Sequence, residues 1–113
     1  MVHYRTSAKE ARALQAELNL KRADSVALIQ ADLLNLSMLP NLVGDTVKRF
    51  GRLDVVINNA SSFFPTVVGE INNKAWDDLI GTNLKAPLFL LQAAAAQLKK
   101  NHGCIVNIVD IHA

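Results

Sequence analysis

The apolar run Leu53-Asp54-Val55-Val56-Ile57 passes directly into Asn58-Asn59-Ala60 and then into Ser61-Ser62-Phe63-Phe64-Pro65. If the run is a strand of a parallel sheet, its two amides stand in the crevice outside the carboxyl ends of the strands, where ligands of such sheets bind. Asn58 and Asn59 can equally make the turn that ends a strand, and from this segment alone the two readings are balanced. Other short apolar runs also end on polar residues: Tyr4-Arg5-Thr6-Ser7, Ala31-Asp32-Leu33 and Val109-Asp110-Ile111-His112. Arg5 beside a helix N-terminus suits a phosphate, because free backbone N–H groups and a guanidinium both favour that anion. The bland alternative leaves Ser7 as a helix cap and Arg5 as a surface charge. Asp32 is equally a ligand acceptor or a loop acid. Asp110 can pass a proton with the help of a neighbour, or is likewise a loop acid. Asn83, in Gly81-Thr82-Asn83-Leu84, is an amide within a helical stretch, where packing alone explains it poorly. His3 and His102 read as ordinary strand and turn residues, and no metal site is expected.

The elements that must position these residues alternate between strand and helix. Met1 to Tyr4 reads as a strand. Ser7 with Glu10 makes a capping box for a helix to about Leu20, with Ala11, Leu14 and Leu18 on one face. Ser25 to Ala31 is a second strand. Ser37 is placed to cap a helix carrying Leu39, Leu42, Val43, Val47 and Phe50, which Gly51 stops. Strand Leu53 to Ile57 follows. A helical region runs from Lys74 to about Leu98 with a join near Thr82 to Pro87, and Gly103 introduces a strand from Cys104 to Val109. Continuous apolar strands are the mark of a parallel sheet covered by helices on both faces. There is no internal repeat and no linker, so residues 1–113 form one unit.

Composition narrows the classes. The chain has 113 residues, half of them hydrophobic, with a net charge of +2 and no block of like charge. That gives no electrostatic case for nucleic acid or a membrane surface. Ala86 to Ala96, the longest apolar stretch, is too short to span a bilayer and is interrupted by Pro87 and Gln92. The one cysteine, Cys104, lies in an apolar run, which predicts a buried small side chain and a reduced, cytoplasmic setting.

The Asn58-Asn59-Ala60 segment resembles the NNA motif of the short-chain dehydrogenase/reductase family, and its continuation into Ser61-Ser62-Phe63-Phe64-Pro65 is similar to the pteridine reductase branch. The resemblance extends over essentially the whole chain. It implies a Rossmann-type doubly wound parallel sheet and an NADPH cofactor. By resemblance, Arg5, Thr6 and Ser7 grip the 2′-phosphate, and no acid at that strand end argues for NAD instead. Asp32 accepts from the adenine amino group, and the main chain at Leu33 touches the ring. Asn58, Asn59 and Ala60 line the ribose and the route to the nicotinamide. Ser61 and Phe63 contact the substrate, with the phenyl ring stacked on a pterin, whereas Phe64 is expected in the core. Asn83 corresponds to the family's catalytic-site asparagine, which anchors a water where the helix bends. Asp110 stands where most of the family has Ser, again as in pteridine reductases.

Two family motifs are not found. No GxxxGxG turn precedes Met1 and no YxxxK follows Asp110, so the resemblance implies a partial dinucleotide-binding domain that lacks the first strand and the C-terminal part. Of the strand order 3-2-1-4-5-6, the chain supplies 2, 3, 4 and 5, leaving two strand pairs with an open edge each. The expected parent activity is NADPH-dependent reduction of pterins or dihydrofolate, by hydride transfer to a C=N bond. A generic carbonyl or 3-oxoacyl reductase is the alternative, and so is an inactive fragment that serves only as a packing partner. The resemblance also implies a homo-oligomer, dimer or tetramer, built through the helices from Lys74 to Leu98.

Overall fold

A computed structural model describes residues 1–109, so the prediction for Asp110 lies outside the described residues. In chain order the elements are β1 (Val2–Tyr4), α1 (Ala8–Lys21), β2 (Leu28–Gln30), α2 (Leu39–Phe50), β3 (Val55–Asn58), α3 (Asn73–Ile80), α4 (Ala86–Asn101) and β4 (Cys104–Asn107). A 3₁₀ turn at Leu36–Met38 leads into α2, and a π-helical segment, Gly81–Lys85, joins α3 to α4. The strands pair in two parallel ladders. Val2, His3 and Tyr4 lie opposite Leu28, Ile29 and Gln30, and Val55 to Asn58 lie opposite Cys104 to Asn107. Among the described residues no ladder joins the two pairs, as the strand-order argument expects.

The helices bridge what the strands do not. Val43 of α2 and Ala94 and Leu98 of α4 close on Leu53, Val56 and Ile105. Leu39 and Leu42 close on Ala31, with Ile29 and Leu33 beside them, and Leu90 of α4 borders both clusters. Ala94 lets α4 approach closely, because a methyl group keeps the helix axes near one another. Helix α1 packs on β1 and β2. The core is thin: among the described residues Leu39 is the largest side chain that is completely enclosed. The Cα radius of gyration is 15.6 Å, against about 13 Å for a compact chain of this length.

Several local expectations are corrected. Ser7 precedes α1, but its hydroxyl makes no cap bond; at φ −80° and ψ 54° its backbone is outside the extended region from which a capping side chain reaches back. Ser37 lies inside the 3₁₀ turn and donates to Asn35 Oδ1 at 2.7 Å instead of capping α2. Gly51 does stop α2, in the left-handed conformation at φ 78°. Cys104 is exposed rather than buried. In the parallel ladder it shares a face with its partner Val55, and with Ile57 and Val106, all of them exposed, whereas Val56 and Ile105 face the helices.

The helical run Asn73–Asn101 is 29 residues long, and by length and composition alone it would suffice to cross a membrane. Here its Ala94 and Leu98 belong to the α2–β3 cluster. Asn72 caps it, accepting from Ala75 N–H at 3.0 Å. Asn72→Ala removes that acceptor, and the expected cost is about 1 kcal/mol, read as a lower urea midpoint.

Candidate functional site

The ends of β1 and β2 bring Arg5 and Asp32 together. Arg5 Nε lies 3.8 Å from Asp32 Oδ2, with both side chains about half exposed. The other carboxylate oxygen accepts from Leu34 N–H at 3.0 Å, a turn in which Asp32 folds onto its own backbone. Gln30 Nε2 donates to the Arg5 carbonyl at 3.0 Å, fixing where the chain leaves β1. Arg5 is therefore only loosely engaged, because an exposed pair at this separation is weak. Thr6 and Ser7 are exposed beside it, immediately before α1. The side chain of Leu33 packs against the Leu39 and Leu42 cluster.

At the end of β3 the two amides diverge. Asn58 Nδ2 donates to Asn107 Oδ1 of the facing strand at 2.8 Å, tying the β3 and β4 ends together. Asn59 and Ala60 border a cavity of about 410 Å³ that also reaches Thr82 and Pro87. Ser61 follows, exposed.

The loop beyond is held at Ser62. Asn83 Oδ1 accepts from Ser62 N–H at 3.1 Å, and Asn83 Nδ2 donates to the Ser62 carbonyl at 2.8 Å. One amide thus satisfies both polar groups of a single peptide residue, as a neighbouring strand would. The π segment sets this up. The Ala86 N–H bonds to the Gly81 carbonyl five residues back, a wide turn of the kind that recurs at functional sites. Ser62 Oγ also donates to Asp78 Oδ1. Asp78 was not foreseen from the sequence, because Lys74, four residues earlier on the same helix face, is the partner such spacing suggests. An acid five residues ahead of an unexplained Asn was the available signal.

Phe63 is 85% exposed and Phe64 39% exposed. Phe64 is thus not a core residue as expected. It borders a shallow pocket shared with Asn72, Lys74 and Ala75 at the start of α3 and is not among the side chains of the two core clusters.

The sequence matches the family described as short chain dehydrogenase along residues 1–113. The chain belongs to the short-chain dehydrogenase family. Its curated relatives include the 3-oxoacyl-[acyl-carrier-protein] reductase FabG of Staphylococcus aureus (strain Mu50), 33% identical over 111 residues, 97% of this chain and 45% of the relative. The FabG of Staphylococcus epidermidis (strain RP62A) is 32% identical over the same length. Pteridine reductase 1 of Leishmania tarentolae is 34% identical over 147 aligned positions, covering 96% of this chain and 51% of the relative. This short-chain dehydrogenase chain therefore spans about half the length of the curated relatives it matches. The relatives establish an oxidoreductase family with a Rossmann-like α/β fold and do not single out the pteridine reductase branch.

Proposed function

We propose that the protein containing these residues is an NADPH-dependent reductase of pterins or dihydrofolate. The observation that carries this reading is a bare aromatic face beside a pinned backbone: Phe63 is 85% exposed, while both backbone polar groups of Ser62 are held by Asn83. A flat heteroaromatic substrate gains buried area and dispersion on such a ring without needing a charge. The donors at the other end fit a phosphorylated cofactor: the loosely engaged Arg5 and the uncapped hydroxyl of Ser7, with Thr6 between them.

In this reading Arg5, Thr6 and Ser7 hold the 2′-phosphate, Asp32 and the Leu33 main chain receive the adenine, and Asn59 and Ala60 line the path onward. Asn58 fixes the strand end through Asn107. Bound NADPH supplies the hydride. Ser61 and Phe63 orient the ring that accepts it, Asp110 holds a proton for it, and Asn83 anchors a water while pinning the loop. The reading also includes a cytoplasmic setting, which keeps the exposed Cys104 thiol reduced, and a dimer or tetramer through α3, the π segment and α4, whose Trp76, Leu84 and Leu88 are exposed. Nucleic acid and membrane are not among the proposed partners.

A second reading, a 3-oxoacyl or other carbonyl reductase, is supported by the FabG relatives. Loss of NADPH absorbance with dihydrobiopterin and dihydrofolate, set against an acetoacetyl thioester, separates the two in the parent protein. Pterin turnover that collapses in Phe63→Ala supports the first. Thioester turnover that is indifferent to Phe63→Ala, with no pterin or folate reduced, overturns it. A third reading, an inactive packing partner, is sunk if the 113-residue chain itself binds NADPH in a calorimetric titration.

Arg5→Ala removes a charge-assisted contact with the 2′-phosphate. The expected result is a KM for NADPH raised roughly 10- to 100-fold with NADH little affected, checked by initial rates with the two cofactors.

A further inference from the structure

Ala75, Asp78 and Thr82 are three and four residues apart, so they share a face of the run from α3 into the π segment. Ala75 and Thr82 are buried. An acid between them is poorly explained by packing, because a partly buried carboxylate needs a donor. Among the described residues Asp78 makes no ion pair, although Lys74 precedes it by one turn. Its partner is the Ser62 hydroxyl, which donates to Oδ1. The adjacent acid, Asp77, is exposed.

That bond completes the hold on Ser62. Asn83 engages its N–H and its carbonyl, and Asp78 engages the polar group that remains. Asp78 also borders the shallow pocket shared with Phe64, Asn72, Lys74 and Ala75. It therefore stands beside residues 62 and 64 of the loop. Exposure alternates accordingly: Ser61 and Phe63 are exposed, whereas Ser62 is partly buried and Phe64 is far less exposed than Phe63. Such alternation is that of extended backbone, where successive side chains point opposite ways. The two bonds from Asn83 locate the Ser62 peptide groups. The bond to Asp78 adds the direction of the Ser62 side chain, and with it the side to which residues 61 and 63 turn.

We infer that Asp78 is a positioning residue for substrate recognition: by holding the Ser62 side chain to α3, it turns Ser61 and the Phe63 ring away from the helix and toward the substrate. The inference rests on the reading above, in which Ser61 and Phe63 meet a flat heteroaromatic ring. It adds a residue that touches neither substrate nor cofactor and that governs affinity for the ring without governing affinity for NADPH.

The test is steady-state kinetics of the parent reductase with dihydrobiopterin. Asp78→Ala and Ser62→Ala should each raise KM for dihydrobiopterin roughly tenfold, with KM for NADPH unchanged. Asp78→Asn keeps Oδ1 as an acceptor and should restore most of the native value. Asp77→Ala removes the same charge one position away and should behave as the native protein. The double variant Asp78→Ala with Ser62→Ala should be no worse than either single one, because both remove the same bond. A native KM for dihydrobiopterin in Asp78→Ala, or additive losses in the double variant, overturns the inference. So does a parallel rise in KM for NADPH, which a merely weakened fold would give. Failure of the pterin reading is a different result: the native parent protein then reduces no pterin or folate. In that event the Ser62 amide decides on Asp78, since its exchange should quicken in Asp78→Ala and not in Asp78→Asn, and equal exchange in both overturns the inference.

Discussion

Asn83→Ala in the parent reductase is expected to lower kcat/KM about 100-fold or more, the scale on which misplacing a reacting partner by about 1 Å is felt. The side chain makes two hydrogen bonds, both to the backbone of Ser62, and Ser62 lies between the two residues assigned to the substrate, Ser61 and Phe63. Alanine leaves the Ser62 N–H and carbonyl to water. The loop then has Ser62 Oγ on Asp78 as its remaining tie at this point, and Phe63 no longer has a fixed plane. Stability should change little by comparison, because the bonds are exposed and water replaces them at a net cost near 1 kcal/mol each. Asn83→Asp separates the two halves of the clamp. It keeps the acceptor for the Ser62 N–H and loses the donor to the Ser62 carbonyl, so it should be intermediate in rate. Hydrogen exchange at the Ser62 amide supplies the independent readout: fast in Asn83→Ala, slow in the native chain. An Asn83→Ala enzyme with native kcat/KM and a freely exchanging Ser62 amide would remove the clamp from the mechanism.

The features legible in the sequence were those with local causes. Apolar runs such as Leu53 to Ile57, and the glycine at 51 that needs a positive φ, depend on their own residues and gave the order of strands and helices correctly. Strand lengths were over-read for a non-local reason. Ser25 to Ala31 is largely apolar, but β1 has only three residues to offer, so the ladder is confined to Leu28–Gln30. The capping predictions failed at Ser7 and Ser37 because a cap depends on backbone angles that the following layer imposes. Cys104 was misplaced for a similar reason: alternation gives its face, but which face the helices cover is decided by α2 and α4. At the site, Asn83 could be seen to be out of place in a helix. Its partner could not, because Ser62 is 21 residues away and the contact depends on the π turn. Phe63 and Phe64 look alike in sequence, yet one is bare and the other, beside the pocket at the start of α3, is less exposed.

Gly103→Ala should cost about 3 kcal/mol, the upper end of what overpacking a filled site usually takes. Gly103 sits at the hinge between α4 and β4. Its N–H donates to the Leu98 carbonyl at 2.8 Å, closing the helix after His102 has turned into the left-handed region at φ 53°. A Cβ added there would overlap the carbonyl oxygen of Asp54 and come within 2.9 Å of Leu98 Cδ2. Neither neighbour can give way cheaply. The Asp54 carbonyl is backbone, and it accepts the Cys104 N–H at 2.9 Å, the first rung of the β3–β4 ladder. Leu98 is buried in the cluster with Val43, Val56 and Ala94. Relief therefore means parting β4 from β3 or lifting the end of α4, where Asn101 Nδ2 also holds the Leu53 carbonyl at 2.9 Å. Gly81→Ala is the control. There the added carbon meets only Leu34 Cδ2, at 2.5 Å. Leu34 is exposed and its side chain can rotate away, while alanine in a helical position offsets part of the cost by about 0.5–1 kcal/mol. The two variants differ by the same single methyl group, so urea midpoints that fall together would mean that β3 and β4 do not close on Gly103 as this structure has them. A large drop confined to Gly103→Ala would identify that backbone contact as what joins the second strand pair to the helices beneath the site.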